Sequence, residues 1–236
     1  MDTLLNKETA LPNAKNLIKE NLPFVLFIVL MFSFRSSVAD WYHVPSGSME
    51  PTIQVGDRIV VDKTAYTLEL PFSDIVIANT GDVERGDIVI INSSAAQNRL
   101  VKRAVAVAGD TVELRHNRLF INGESATITP LTSPFYQENL LGDSRTIALT
   151  NSDYIDSSGV THPSIKNPAS SFHPVTIPKG YILAMGDNRD NSMDSRYYGL
   201  FPISEIQGRA ASVAFSLDKS NYYLPRQDRV LLTLNK

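Results

Sequence analysis

Asn98-Arg99-Leu100-Val101-Lys102-Arg103-Ala104-Val105-Ala106-Val107-Ala108-Gly109-Asp110 reads as one β-strand closed by a Gly-Asp turn. Side chains on a strand alternate between faces. Lys102 therefore shares a face with Leu100, Ala104 and Ala106, and Arg103 lies on the other with Val101, Val105 and Val107. A lysine on a small, apolar face loses water; desolvation disfavours the ammonium and lowers its pKa. A neutral amine is a competent general base near pH 7, one way to activate a serine without histidine. The ordinary alternative is a half-exposed strand from which the Lys102 ammonium snorkels to solvent.

Outward from this strand the chain keeps the same character. Ile59-Val60-Val61, Ile88 to Ile91, Thr111 to Leu114, Leu119 to Ile121, Tyr181 to Met185 and Ala210 to Phe215 are short β-rich runs. They are parted by Gly-Asp or Asn-Gly turns, which predicts a mainly β protein. Residues 115–118 are expected to join a hairpin, with Asn122-Gly123 closing its second strand. From about 124 to 177 the chain is rich in Ser, Thr, Pro and Asn and reads as an inserted, less regular subdomain. Leu68 to Ile77 is more apolar than a loop should be. Packing into the core is the expectation there, and contact with a membrane the alternative.

Two further stretches carry chemistry. Pro45-Ser46-Gly47-Ser48-Met49-Glu50-Pro51-Thr52 is a turn punctuated by Pro and Gly, and a serine in such a turn can present its hydroxyl beside backbone N–H groups. An ordinary loop has the same composition. Gly186-Asp187-Asn188-Arg189-Asp190-Asn191-Ser192-Met193-Asp194-Ser195-Arg196 is dense in hydrogen-bonding side chains between two apolar segments. Such groups bond one another and fix a non-repetitive backbone. A Ca²⁺ loop through Asp187, Asp190 and Asp194 is the alternative, though the central Gly and terminal Glu of an EF-hand are absent.

Taken together with Gly-Asp-Arg-Ile-Val-Val-Asp-Lys at 56–63 and Arg-Gly-Asp-Ile-Val at 85–89, these motifs resemble, in order and spacing, the bacterial type I signal peptidases. These are membrane-bound Ser/Lys enzymes that remove signal peptides from exported proteins. The resemblance runs from about residue 20 to 215 with gaps. It implies Ser48 as nucleophile and Lys102 as general base, with Ser46 and the Ser48 backbone N–H holding the oxyanion. It further implies that Ser192 orients the lysine ammonium, that Asp194 and Arg196 form a supporting ion pair, and that Met49 lines the substrate groove. Neither cofactor nor metal is implied. The chain departs from the family pattern at Val107-Ala108-Gly109-Asp110, where a proline more often precedes Gly-Asp; that alters turn stiffness rather than chemistry. Of the four histidines, His43 lies five residues before Ser48, and His116, His162 and His173 sit in turns or beside prolines. None has an obvious orienting carboxylate, and no role in catalysis is expected for them.

The implied architecture is an all-β catalytic core at 40–123 and 178–236 with a smaller β-rich subdomain inserted at 124–177. It is preceded by a cytoplasmic segment, 1–21, and one transmembrane anchor, 22–39. Leu22 to Phe34 is thirteen apolar residues, about 20 Å of helix, and extension to Ala39 gives about 27 Å against about 30 Å of hydrocarbon. Trp41 and Tyr42 then fall at the aromatic belt. Ser37-Val38-Ala39 before Asp40 also resembles a signal-peptide cleavage site, although Arg35 between the apolar core and that site argues against cutting. Lys7, Lys15 and Lys19 precede the span, which favours a cytoplasmic amino-terminus and a catalytic domain outside. The net charge of −3 without a basic stripe disfavours nucleic acid as a partner, and the absence of cysteine excludes disulfides and thiol chemistry. The expected partners are signal peptides of exported preproteins and membrane lipid. By resemblance the cut follows small residues, of Ala-x-Ala type, in a peptide bound as an added β-strand. A narrower peptidase maturing one dedicated client is the alternative.

Overall fold

The computed structural model describes residues 21–73, 75–149, 154–155, 161–162 and 168–234. A helix, α1 (Leu22–Ser37), leads into β1 (Ala39–His43), β2 (Asp57–Asp62), β3 (Thr67–Glu69), β4 (Val76–Asn79), β5 (Ile88–Ser93) and β6 (Asn98–Ala106). Next come β7 (Thr111–Arg115), β8 (Arg118–Ile121), β9 (Glu124–Ser125), β10 (Thr127–Pro130), β11 (Phe135–Leu140) and β12 (Asp143–Ala148). Two-residue strands β13 (Tyr154–Ile155) and β14 (Thr161–His162) pair with each other. The chain ends with β15 (Phe172–Thr176), β16 (Tyr181–Met185), a one-turn helix α2 (Ser195–Tyr198), β17 (Phe201–Pro202), β18 (Ile206–Asp218), β19 (Leu224–Pro225) and β20 (Leu232–Thr233).

The main sheet runs β1-β2-β18-β5-β6-β16-β17, with β19 and β20 also pairing β18. β2 alternates between buried and half-buried positions, as expected of a strand covered on one face. β5 is buried on both faces, and its successive residues enter different clusters: Ile88 and Ile90 join Val44, Met49, Ile53 and Ile59, while Val89 and Ile91 join Ala104, Ile182 and Phe201. Each such isoleucine stabilises the fold by roughly 1.5–3 kcal/mol of burial. On β6, Leu100 packs beside the second cluster and Val101 beside the first, the alternation its sequence predicts.

β7 and β8 form the expected hairpin, with His116 and Asn117 both at positive φ (48° and 63°), the geometry of a tight I′ turn. Asn122 (52°) and Gly123 (87°) repeat it before β9. Within the stretch read as irregular, β9 and β15 join β8 and β7 in a four-stranded sheet, and β10-β11-β12 make a separate one around Ile128, Ile147 and Leu149.

Ahead of the sheet stands the apolar helix α1. α1 has 16 residues, about 24 Å at 1.5 Å per residue, and the chain is already paired in β1 from Ala39. No helix among the described residues is long and apolar enough to cross a membrane. Trp41 and Tyr42 lie on β1, where the Arg35 guanidinium covers the Trp41 ring at 4.7 Å and pairs with Asp40 at 3.0 Å. The expectation that Leu68 to Ile77 packs in the core is corrected. They belong to the β3–β4 hairpin, with Phe72 69% and Ile75 62% exposed, while Leu68, Pro71 and Ile77 line a hollow against Leu30 and Phe34 of α1. Hydropathy alone does not say what covers an apolar segment.

Candidate active site

The candidate site assembles from three chain segments. β6 lies between β5 and β16, pairing Lys102 with Val89, so Lys102 sits in a fully covered part of the sheet and is only 3% exposed. Ser48 comes from the connection between β1 and β2. The base of that connection is closed by Val44 N–H to the Asp57 carbonyl (3.0 Å) and Gly56 N–H to the Val44 carbonyl (3.1 Å). Inside it, Glu50 N–H donates to the Gly47 carbonyl and Ile53 N–H to the Met49 carbonyl, coiling the chain around Ser48. Lys102 Nζ is 2.7 Å from Ser48 Oγ.

Burial is the largest influence on the Lys102 amine and lowers its pKa from the ordinary 10.5 to about 8; Asp194 and Asp187 pull it up and Arg196 pushes it down. The carboxylates are too few and too well occupied by arginine to restore the ammonium. A hydroxyl in hydrogen-bond contact with an amine that loses its proton near neutrality is the geometry of a nucleophile and its general base.

The third segment, Gly186 to Arg196, closes around Ser48. Asn188 N–H donates to the Ser48 carbonyl at 3.1 Å, and Asn188 Nδ2 to the Gly47 carbonyl at 3.0 Å. Gly186 is required by close approach: a Cβ there would fall 2.3 Å from both the Ser48 carbonyl oxygen and Ser192 Oγ. Asp194 organises the loop. Its Oδ2 accepts from Ser192 Oγ (2.7 Å) and Gly186 N–H (3.0 Å), and both its oxygens accept from the Arg196 guanidinium at 2.8 Å. Burial alone would raise the Asp194 pKa, but the Arg196 pairing and these donors hold it below the usual carboxylate range. Asp187, next to Gly186, accepts a bidentate pair from Arg103 (2.9 and 2.7 Å) and the Thr52 hydroxyl at 2.6 Å. It thereby ties the loop to the residue after β6's lysine and to the serine turn.

Of the residues singled out in the sequence, Ser48 and Lys102 meet directly, and Ser192, Asp194 and Arg196 form one connected group behind them. The Ser192 hydroxyl donates to Asp194 and packs against Gly186. Ser46 is exposed two residues before Ser48. Met49 differs from its expectation: it is 1% exposed and packs with Val44, Ile53 and Ile59 beneath the turn, so it belongs to the core rather than to an open groove. The turn leaves Ser48 half-buried, and the apolar side chain beside it is drawn inward onto the β1–β2 cluster. Asp187 and Asp194 are occupied by arginines, and no group of His, Cys, Asp or Glu able to hold a metal occurs among the described residues. His43 is exposed, its pKa lowered by partial burial and by Arg58 and Lys219.

Sequence reasoning missed Thr52, Arg103 and Asn188 as supports of the site, and missed Gly186 as a contact. Arg103 and Asp187 carried a signal, adjacent to the base and to Gly186 respectively, but a pair 84 residues apart is not marked by any local pattern. Glu138 was missed as well. It is a single acid between Gln137 and Asn139 in a stretch read as irregular, yet it is fully buried between Arg189 and Arg145.

Residues 16–215 match the family model described as signal peptidase, peptidase S26. Signal peptidase I of Pseudomonas fluorescens is 35% identical over 224 residues, covering 87% of this chain and 75% of that protein. Signal peptidase I P of Bacillus subtilis subsp. natto is 31% identical over 205 residues, covering 86% and 92%. Among solved structures, a signal peptidase I from Enterococcus faecalis V583 matches with a TM-score of 0.32 at 24% identity, covering 54% of this chain and 96% of that one. The chain belongs to the signal peptidase family, peptidase S26.

Proposed function

We propose that this protein is a membrane-bound serine endopeptidase that cleaves signal peptides from exported preproteins after small residues, with Ser48 as nucleophile and Lys102 as general base. The observation that carries the reading is the 2.7 Å contact between Lys102 Nζ and Ser48 Oγ, made by a lysine whose pKa burial lowers to about 8. In its neutral form the amine accepts the Ser48 proton as Oγ attacks the peptide carbonyl, and then gives that proton to the leaving amine. The acyl-enzyme on Ser48 is released by a water that the same amine deprotonates. The Ser48 backbone N–H and the Ser46 hydroxyl stand as the donors for the oxyanion; losing one such donor costs about 10²–10³ in turnover. Ser192, with Asp194 and Arg196 behind it, holds the wall beside Lys102.

Membrane attachment through residues 22–39 fits the apolar surface of α1, which exposes Phe24, Leu26, Phe27, Leu30 and Phe34. A helix apolar all round is stable only when protein or lipid covers it. Lys7, Lys15 and Lys19 favour an amino-terminus in the cytoplasm and a catalytic domain on the outer side. Anchoring in the bilayer that holds the substrate's own apolar segment raises its effective concentration.

The test uses the detergent-solubilised protein with its Ser48→Ala and Lys102→Ala forms, each incubated with a precursor bearing an Ala-x-Ala site and the products mapped by mass. Cleavage after the final alanine by wild type alone is the expected result. Cleavage that survives Lys102→Ala removes the lysine mechanism, and failure of wild type on several unrelated precursors points to a dedicated client.

A further inference from the structure

The loop that closes on Ser48 is held from outside the main sheet. Arg189, 1% exposed, is braced at both ends. Its guanidinium makes a fork on Glu138 (Nη1 to Oε1 2.9 Å, Nη2 to Oε2 2.7 Å), while its backbone carbonyl accepts from Arg196 Nη2 at 2.6 Å. Arg196 in turn holds Asp194, and Asp194 holds the Ser192 hydroxyl and the N–H of Gly186, the glycine whose Cα faces the Ser48 carbonyl. Glu138 belongs to β11, in the separate three-stranded sheet, where it sits opposite Arg145 and accepts from Arg145 Nε at 2.6 Å. The same sheet makes a second attachment at the end of β12, where Ala148 N–H donates to the Asp187 carbonyl at 2.9 Å.

A buried carboxylate between two arginines is a poor choice for stability alone, since apolar side chains of like volume serve a core as well or better. What it offers is direction: a forked guanidinium–carboxylate pair fixes angle as well as distance. Asp194, Asp187 and Arg196 are the charged groups that act on the Lys102 amine; one attachment from this sheet ends on Asp187, and the other reaches Arg196 through the Arg189 carbonyl.

We propose that Glu138 is a positioning residue for peptide cleavage: through Arg189 and Arg196 it sets the Gly186–Arg196 loop against Ser48 and Lys102, making the β10–β12 sheet part of the catalytic apparatus. The inference rests on the Ser48–Lys102 reading above.

Its test is steady-state cleavage of an Ala-x-Ala precursor by the full chain across pH 6 to 10, for wild type, Glu138→Gln, Glu138→Asp and Lys102→Ala, with thermal melting of each. Glu138→Gln is expected to lower kcat at least tenfold with KM changed less than threefold. Its acid limb of kcat/KM should also move to higher pH by half a unit or more, because a loosened loop admits water to the Lys102 amine. Glu138→Asp, which keeps the charge, should recover part of both. Should Glu138→Gln fail to fold, Arg189→Lys keeps a cation against Glu138 without the fork and carries the same expectation. A lowered melting temperature with kcat and the acid limb as in wild type overturns the proposal. Cleavage by Lys102→Ala would instead sink the dyad reading, whatever Glu138 does.

Discussion

Replacing Lys102 with methionine should abolish cleavage and yet make the protein more stable. The folded-state pKa of about 8 lies below the ordinary 10.5, so folding drives protons off this amine. The resulting penalty is fully present below pH 8 and fades as pH rises towards 10.5. At about 1.4 kcal/mol per pH unit, the gap corresponds to about 3 kcal/mol at pH 6.5. Methionine has a similar length and no charge to desolvate, but it forfeits the hydrogen bond to Ser48 Oγ, worth about 1 kcal/mol. The net gain is about 2 kcal/mol, or about 4–8 °C in Tm for a chain of this size. By pH 9.5 the remaining penalty and the lost hydrogen bond nearly cancel, and the two proteins should melt together. Thermal denaturation of Ser48→Ala and Ser48→Ala/Lys102→Met, which removes self-digestion from the comparison, supplies a simpler second pair. There the hydrogen bond is absent from both, and the gain should approach about 3 kcal/mol at pH 6.5. A methionine variant that melts at or below its parent at pH 6.5 would refute the argument, because it would mean that Lys102 bears no desolvation cost.

Other outcomes follow from the same geometry. The wild-type kcat/KM should rise about tenfold per pH unit up to about 8 and then level, since only the neutral amine acts; Lys102→Arg should be inactive at every pH, because arginine does not lose its proton. Gly186→Ala places a methyl 2.3 Å from the Ser48 carbonyl oxygen, and a loss of at least about a hundredfold in kcat is expected; near-wild-type turnover would show that the loop is free to move away. Phe72→Ser and Ile75→Ser, at the exposed hairpin, should each change stability by less than about 0.5 kcal/mol in detergent, and a larger loss would place these side chains in a core after all.

How far the site could be read depended on the range of the interaction. Along Leu100 to Ala104 a period of two assigns Lys102 to the face of Leu100 and Ala104 and Arg103 to the other, but it leaves open whether Lys102 is buried or snorkels to solvent, since that depends on the strands beside β6. The His116-Asn117 and Asn122-Gly123 turns were equally legible, because positive φ demands those residue types. Met49 was misread since its neighbours in the sequence say nothing of Val44 and Ile53 closing beneath it. Leu68 to Ile77 was misread for the opposite reason: it has the composition of a core and the environment of a surface. The Glu138–Arg189 pair was invisible, because its partners lie 51 residues apart and a single glutamate among polar neighbours ordinarily faces water.

The position of β18 also bears on how Ser48 and Lys102 are held in register. β18 is the sole link by strand pairing, among the described residues, between the β1–β2 half of the main sheet, which frames Ser48, and the β5–β6 half, which carries Lys102. It runs for thirteen residues, Ile206–Asp218. Whatever loosens β18 therefore parts the hairpin that frames Ser48 from the hairpin that carries Lys102, so the spacing of the two reactive side chains is governed by a strand that supplies neither of them.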